Sequence, residues 1–303
     1  EFAVPSLEAL LDAGFRVLGV VTTPDKPAGR KQLLTPSPVK VFAESKKISV
    51  YQPETLKPSG YQLELPEADL YVVAAYGKII PKHILERPRL GALVLHPSLL
   101  PRWRGPSPVQ FSILSGDDKT GVTIIKMDEL MDHGPIIVQF IACEVNRKSY
   151  SELNNELWKA GAELLIETLP KWIRGEITPV PQDESKVTFS KILAKEDGRI
   201  SWEKPADVIE RQIRAFTPWP GSWTEWAPKG RPHRLRIDEA QALDYDILDG
   251  APGYVSETEK HPLLVKTGKG TLAVTRLTIE GGKTLAAISF LTGHPDIISS
   301  SLV

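Results

Sequence analysis

Leu90–Leu95 is an apolar run too short for a helix and of the right length for a strand buried on both faces, which predicts a parallel α/β sheet. The next residues are His96-Pro-Ser-Leu-Leu-Pro-Arg-Trp-Arg-Gly105. Their two prolines and glycine forbid regular structure. His96 is therefore expected at a strand end, the edge where open α/β sheets bind ligands. A second run, Gly121–Met127, leads into Met127-Asp-Glu-Leu-Met-Asp-His-Gly134 and puts Asp132 just past another strand end. A histidine and a carboxylate offered from neighbouring strand ends make an imidazole and its orienting group, the core of general acid–base chemistry. Each stretch alone is more often ordinary: a capping histidine, a solvated acidic loop.

H-P-S-L-L-P-x-x-x-G followed by D-x-G resembles the folate-dependent formyltransferases, and the resemblance extends over nearly the whole chain. It implies formyl transfer from 10-formyltetrahydrofolate to an amine, with His96 polarising the formyl oxygen or carrying the proton. Asp132 would orient His96 and help deprotonate the attacking ammonium. Ser98, Leu99, Leu100 and Pro101 would wall the folate site through backbone and hydroxyl contacts. Tyr76 and Gly77, in an A-A-Y-G-K stretch, would line the same pocket. Phe2 falls where relatives carry an aromatic near the methionyl side chain. One position departs from the family: its N-x-H-x-S-L-L-P pattern has asparagine where this chain has Val94.

Length and composition set the frame. A chain of 303 residues has room for two domains, each with its own core. A net charge of -1 excludes a global polycation, so any nucleic-acid contact must come from local basic patches. The single cysteine, Cys143, excludes an internal disulfide and fits a reducing compartment. The six histidines show no metal-ligand spacing, so no metal is expected. There is no signal peptide or membrane-length apolar run, and the expectation is a cytoplasmic monomer without membrane contact.

From the start of the chain, Leu7, Leu10 and Leu11 share a helical face before Gly14, and Phe15–Thr22 reads as a buried strand. A helix feeding a parallel strand normally follows a strand of its own. Relatives begin with such a strand, directly before a segment like E-F-A-V-P. The expectation is thus a Rossmann-like parallel sheet whose first strand is missing by truncation. Residues 23–40 carry four prolines before Val39, with Lys26, Arg30, Lys31 and Lys40, and read as a long loop. Composition alone favours a solvated surface. The resemblance instead matches P-A-G-R and P-S-P-V-K to the insertion with which the tRNA-acting members of the family grip the acceptor end.

Helices are expected over Pro38–Lys46, near Ser107–Leu114 and over Ser149–Arg174, with strands at Ile48–Tyr51, Ala68–Ala74 and Ile136–Cys143. Arg102 and Arg104 add charge suited to a phosphate or a folate glutamyl tail. Residues 1–174 are thus read as the catalytic domain and 175–193 as a linker. Residues 194–303 are read as an OB-like β-barrel domain that contacts tRNA, from a helix at Pro205–Ala215, short β-patterned segments and R-A-F-T-P-W-P-G-S-W. Lys229, Arg231, Arg234 and Arg236 cluster there.

The expected activity is formyl transfer to the amino group of initiator methionyl-tRNA. Two alternatives stay open: transfer to a small amine (an amino-sugar nucleotide or glycinamide ribotide), or a catalytically impaired folate- or RNA-binding relative. The basic insertion argues against the first, and Val94 argues for the second. Valine offers no oxyanion donor. Either another group compensates, or turnover is slow, or the residue was altered to arrest the enzyme.

Overall fold

A computed structural model describes residues 2–28, 33–57 and 65–303. It divides into two compact units: Glu1–Pro108 with Lys119–Glu144 and Leu153–Lys191, and Val109–Asp118 with Val145–Glu152 and Ile192–Val303.

The first unit opens with α1 (Val4–Asp12) and β1 (Val20–Val21). A hairpin follows, β2 (Lys26–Ala28) against β3 (Leu33–Thr35), then α2 (Pro38–Ser45) and β4 (Val50–Tyr51). The helix α2 starts where its chemistry dictates: Pro38 sits in the first turn and the Ser37 hydroxyl accepts from the Lys40 N–H at 3.3 Å. After β5 (Tyr71–Ala74) and α3 (Lys82–Leu85) come β6 (Ala92–His96), β7 (Lys119–Lys126), β8 (Ile136–Glu144) and, from Leu153 on, α5 (Tyr150–Ile173); α4 (Pro108–Leu114), between β6 and β7 in the chain, is counted from Val109 with the second unit. β1 pairs with β4 in parallel, and β5-β6-β7-β8 form a second sheet.

β5 and β6 run parallel in register, Ala74 beside Leu95, so their following loops leave from one edge. All of β6 is buried. Its Leu95 side faces α5, where Gly161 leaves room: a Cβ there would lie 2.8 Å from Leu95 Cδ2. The opposite side carries Val94 and His96, as alternation along a strand requires.

Three expectations change. β7 is antiparallel to β6, with Lys126 opposite Leu93, so the strand before Asp132 does not end at the edge where His96 lies. The apolar content of 121–127 could not report strand direction. Phe15–Thr22 yields only Val20–Val21 as paired strand, because β4 offers a partner at just those positions. Residues 23–40 are no open loop: β2 and β3 pair through Lys26–Thr35, Pro27–Leu34 and Ala28–Leu33. Between β1 and β5 lies a cavity of about 750 Å³, lined by Val20 and Val21 on one side and Tyr71–Ala74 on the other.

The second unit packs α6 (Ala206–Phe216) on an antiparallel sheet. Its strands are β9 (Ser222–Trp226), β10 (His233–Leu243), β11 (Val255–Ser256), β12 (Leu264–Lys266), β13 (Thr271–Ile279) and β14 (Leu285–Ala286). Their order is β11-β12-β13-β10-β9, with β14 on β13, and α7 (Ala287–Gly293) follows. Residues 299–303 close the curled sheet: Ser299 N–H reaches Val255 O, Leu302 N–H reaches Gly253 O, and Val303 exchanges both bonds with Glu225. The core joins Trp202, Ile209 and Ile213 to Trp226, Leu235, Leu272 and Phe290. The result is the small barrel that the short, turn-separated strands foretold.

Candidate active site

His96 ends β6 and is 5% exposed. Its Nε2 lies 2.9 Å from the Trp103 carbonyl oxygen, and its Nδ1 lies 3.6 Å from Asp132 Oδ1. A carbonyl oxygen only accepts, so Nε2 carries the proton of the neutral ring and Nδ1 faces the carboxylate. Asp132 Oδ2 accepts the Gly105 N–H at 2.7 Å. Asp132, in the connection between β7 and β8, reaches His96 although β7 ends at the opposite edge, and it holds φ +50°.

The loop after His96 is bound from two sides. From the sheet, Thr123 Oγ1 donates to Ser98 O at 2.7 Å and accepts from Leu100 N at 3.1 Å. Its strand partner Gln139 donates through Nε2 to Leu100 O at 2.8 Å. From outside, residues 182–190 form a strap. Arg104 N–H bonds Thr188 O, Ser190 N–H bonds Arg104 O, and Trp103 N–H donates to Thr188 Oγ1 at 2.9 Å. Residues 175–191, inside the stretch read as a linker, thus belong to the first unit.

Gly105 is required where strap, loop and carboxylate meet. It holds φ +108°, and a Cβ there would lie 2.6 Å from the Ser190 carbonyl oxygen. Gly105→Ala is expected to move its N–H off Asp132 and to destabilise the fold by about 1–3 kcal/mol. Thermal unfolding read beside kcat checks this, and wild-type values of both would contradict it.

The other residues singled out from the sequence fall as follows. Val94 is packed with Leu100 and Ile125, and against Val73, Met127 and Ile136. Tyr76 and Gly77 follow β5 on the same edge as His96. Ser98 is fully buried and its hydroxyl donates to Arg102 O at 2.6 Å. That corrects the expected hydroxyl contact with folate: Ser98 braces its own loop, and Leu100 is buried likewise. Leu99 and Pro101 are half-buried. Arg104 is not the exposed anion ligand its type suggests. It is 3% exposed, bound to Gln182 Oε1 at 3.0 Å and to Glu184 at 2.7 Å, and it holds the Glu184 carboxyl below the usual range.

Lys40 also differs. Its Nζ donates to Asp25 Oδ2 and Gln52 Oε1, both at 2.8 Å, so it anchors the base of the hairpin segment instead of facing an RNA phosphate. The same lysine, with Gln52, draws the Asp25 carboxyl below its ordinary range. Lys26 is exposed on β2, whereas Arg30 and Lys31 lie outside the described residues. Phe2 stacks on Trp158 of α5 with ring centroids 6.0 Å apart. In the second unit, Arg234 lies over Trp223 at 3.9 Å and Arg199 at 5.7 Å, while Arg236 is held by Asp238 at 2.6 Å.

Sequence reading missed Thr123, Gln139, Gln182 and Thr188. Thr123 alone left a trace, a hydroxyl inside an apolar run. Among the described residues, no group of three or more His, Cys, Asp or Glu is placed to hold a metal ion, and no helix is long and apolar enough to cross a membrane.

Comparison with known proteins places this geometry. A formyl transferase family model matches residues 2–169, and a formyl transferase C-terminal domain model matches 192–295. The methionyl-tRNA formyltransferase of Chloroflexus aurantiacus is 45% identical, covering 98% of this chain and 96% of the relative. That of Bartonella tribocorum is 41% identical, over 97% and 94%. Among solved structures, an N-formyltransferase of Helicobacter canadensis in complex with folinic acid and dTDP-3-aminofucose superposes with a TM-score of 0.63 at 19% identity, covering 90% of this chain and 96% of that one. HypX of Aquifex aeolicus in complex with tetrahydrofolic acid gives 0.59 at 17% identity, over 93% and 48%. At such identities the structures speak for the fold.

Proposed function

The chain belongs to the formyl transferase family, and we propose that it moves a formyl group from 10-formyltetrahydrofolate to the amino group of initiator methionyl-tRNA. The observation that carries this reading is the His96–Asp132 contact at the end of β6, its carboxylate gripped by Gly105.

The chemistry fits acyl transfer. The acceptor amine must lose a proton before it attacks the formyl carbon, and Asp132 with His96 takes it. An oxyanion then develops on the formyl oxygen, and the His96 ring serves it as donor once Nε2–H exchanges the Trp103 carbonyl for the formyl oxygen. Folate N10 leaves once protonated, and the imidazole can return that proton. Tyr76 and Gly77 on the β5 edge and the 98–101 loop on the β6 edge are the walls assigned to the pteridine. Phe2 remains the candidate for the methionyl side chain, in which case it must leave or share its stack with Trp158.

In this reading residues 1–174 carry the transfer, 194–303 hold tRNA, and 175–193 join them while clasping the active-site loop. The β2–β3 pair carries Lys26 beside exposed Leu33 and Leu34, and the sequence between the two strands holds Arg30 and Lys31. The Arg234–Trp223 pair offers a cation and a ring to RNA. Replacing Arg30 and Lys31 together by alanine is expected to weaken tRNA binding. The slope of log affinity against log salt should fall by about one for each phosphate that is no longer neutralised. An unchanged slope would exclude the hairpin from the interface.

The acceptor is tested by competition. Methionyl-tRNA and a dTDP-linked amino sugar are offered together with 10-formyltetrahydrofolate. Formyl appearing on the amino acid supports the proposal; formyl appearing only on the sugar overturns it.

A further inference from the structure

Asp132 sits at φ +50°, in the left-handed region that residues with a Cβ enter at a cost. The Gln182 side chain holds its backbone there. Gln182 Nε2 donates to the carbonyl oxygens of Asp132 and Gly134, each at 2.8 Å. Its Oε1 accepts from Arg104 Nε at 3.0 Å. Two carbonyl acceptors on one side and a guanidinium donor on the other leave the amide a single orientation. Gln182 is 9% and Arg104 3% exposed, and Glu184 fixes the outer edge of the guanidinium. Arg104 directly precedes Gly105, whose N–H grips the Asp132 carboxylate. The same pair thus ties the loop that carries the carboxylate to the loop that carries its donor.

We propose that Gln182, seated by Arg104, is a positioning residue for formyl transfer: it fixes the Asp132 backbone so that the carboxylate faces His96. This rests on the reading of His96 and Asp132 as the working pair. Gln182 touches neither substrate in it and acts only through Asp132.

Gln182→Glu replaces the two-carbonyl donor by an oxygen and keeps the side chain's size. A misplaced catalytic group loses rate, not ligand affinity, so kcat is expected to fall about 10–10²-fold, with KM for 10-formyltetrahydrofolate and methionyl-tRNA within about twofold. The deciding readout is the double-mutant cycle with Asp132→Ala. If Gln182 works through Asp132, its effect shrinks to less than about threefold once the carboxylate is gone. A full effect in the Asp132→Ala enzyme would overturn the proposal, as would a raised KM with kcat intact. Should Gln182→Glu not fold, Arg104→Lys keeps the charge facing Glu184 and removes the Nε donor. The same cycle is then read, and additivity again overturns the proposal. Wild-type kcat in Asp132→Ala itself would overturn the pairing beneath it. A harmless Gln182→Glu beside a crippled Asp132→Ala would overturn this inference alone.

Discussion

Replacing His96 by alanine is expected to lower kcat by about 10²–10⁴-fold, the range of a positioned acid–base group. KM for 10-formyltetrahydrofolate should move little, because the ring is 5% exposed and its nitrogens face Trp103 and Asp132, leaving it little surface for ground-state binding. The ring also holds the Trp103 carbonyl, so alanine leaves a buried acceptor without its partner and takes some stability with it. His96→Gln offers a donor of similar reach and separates the two effects. It should recover thermal stability and not turnover. Recovery of both would make His96 a brace for the 97–105 loop and no participant in the transfer. Asp132→Ala should show the same fall in kcat at unchanged donor KM.

Val94→Asn is expected to raise single-turnover formylation, by up to about 10²-fold if no other donor serves the oxyanion. Leu95 packs on α5 while Val94 packs with Leu100 and Ile125, so positions 94 and 96 share the side of β6 away from the helix. An amide at 94 would therefore be presented beside His96. The same burial sets the penalty. Val94 lies in an apolar cluster, and an amide without a partner there destabilises by about 1–3 kcal/mol. Rate and thermal stability should move in opposite directions. A variant that folds and binds both substrates yet gains no rate would show that another group already stabilises the oxyanion.

What could be read from the sequence was what periodicity encodes. Leu90–Leu95 is apolar because β6 is buried on both sides, and the strand expected at Ile136–Cys143 matches β8 to within one residue. His96 was legible because it follows such a run and precedes prolines. Asp132 is legible as a loop carboxylate, but the route by which it approaches His96 is not. A strand's composition is silent on its direction, and β7 is antiparallel. Residues 182–190 had no signature, since their role is a set of long-range bonds to residues 101–107 that need no repeat and little hydrophobicity. Lys40 and Arg104 misled for a related reason. A basic residue in a polar loop looks solvated until the carboxylate or amide that holds it, Asp25 or Gln182, is seen beside it.

Formylation of methionyl-tRNA through His96 and Asp132 can be tested on the product itself. The most direct measurement loads initiator tRNA with labelled methionine and incubates it with 10-formyltetrahydrofolate and enzyme in excess, so that even slow turnover registers. The amino acid is then released from the tRNA and identified. N-formylmethionine is expected with the full chain, formed at least about 10²-fold more slowly by His96→Ala. Free methionine alone, or formylmethionine at the same rate from the His96→Ala protein, would contradict it.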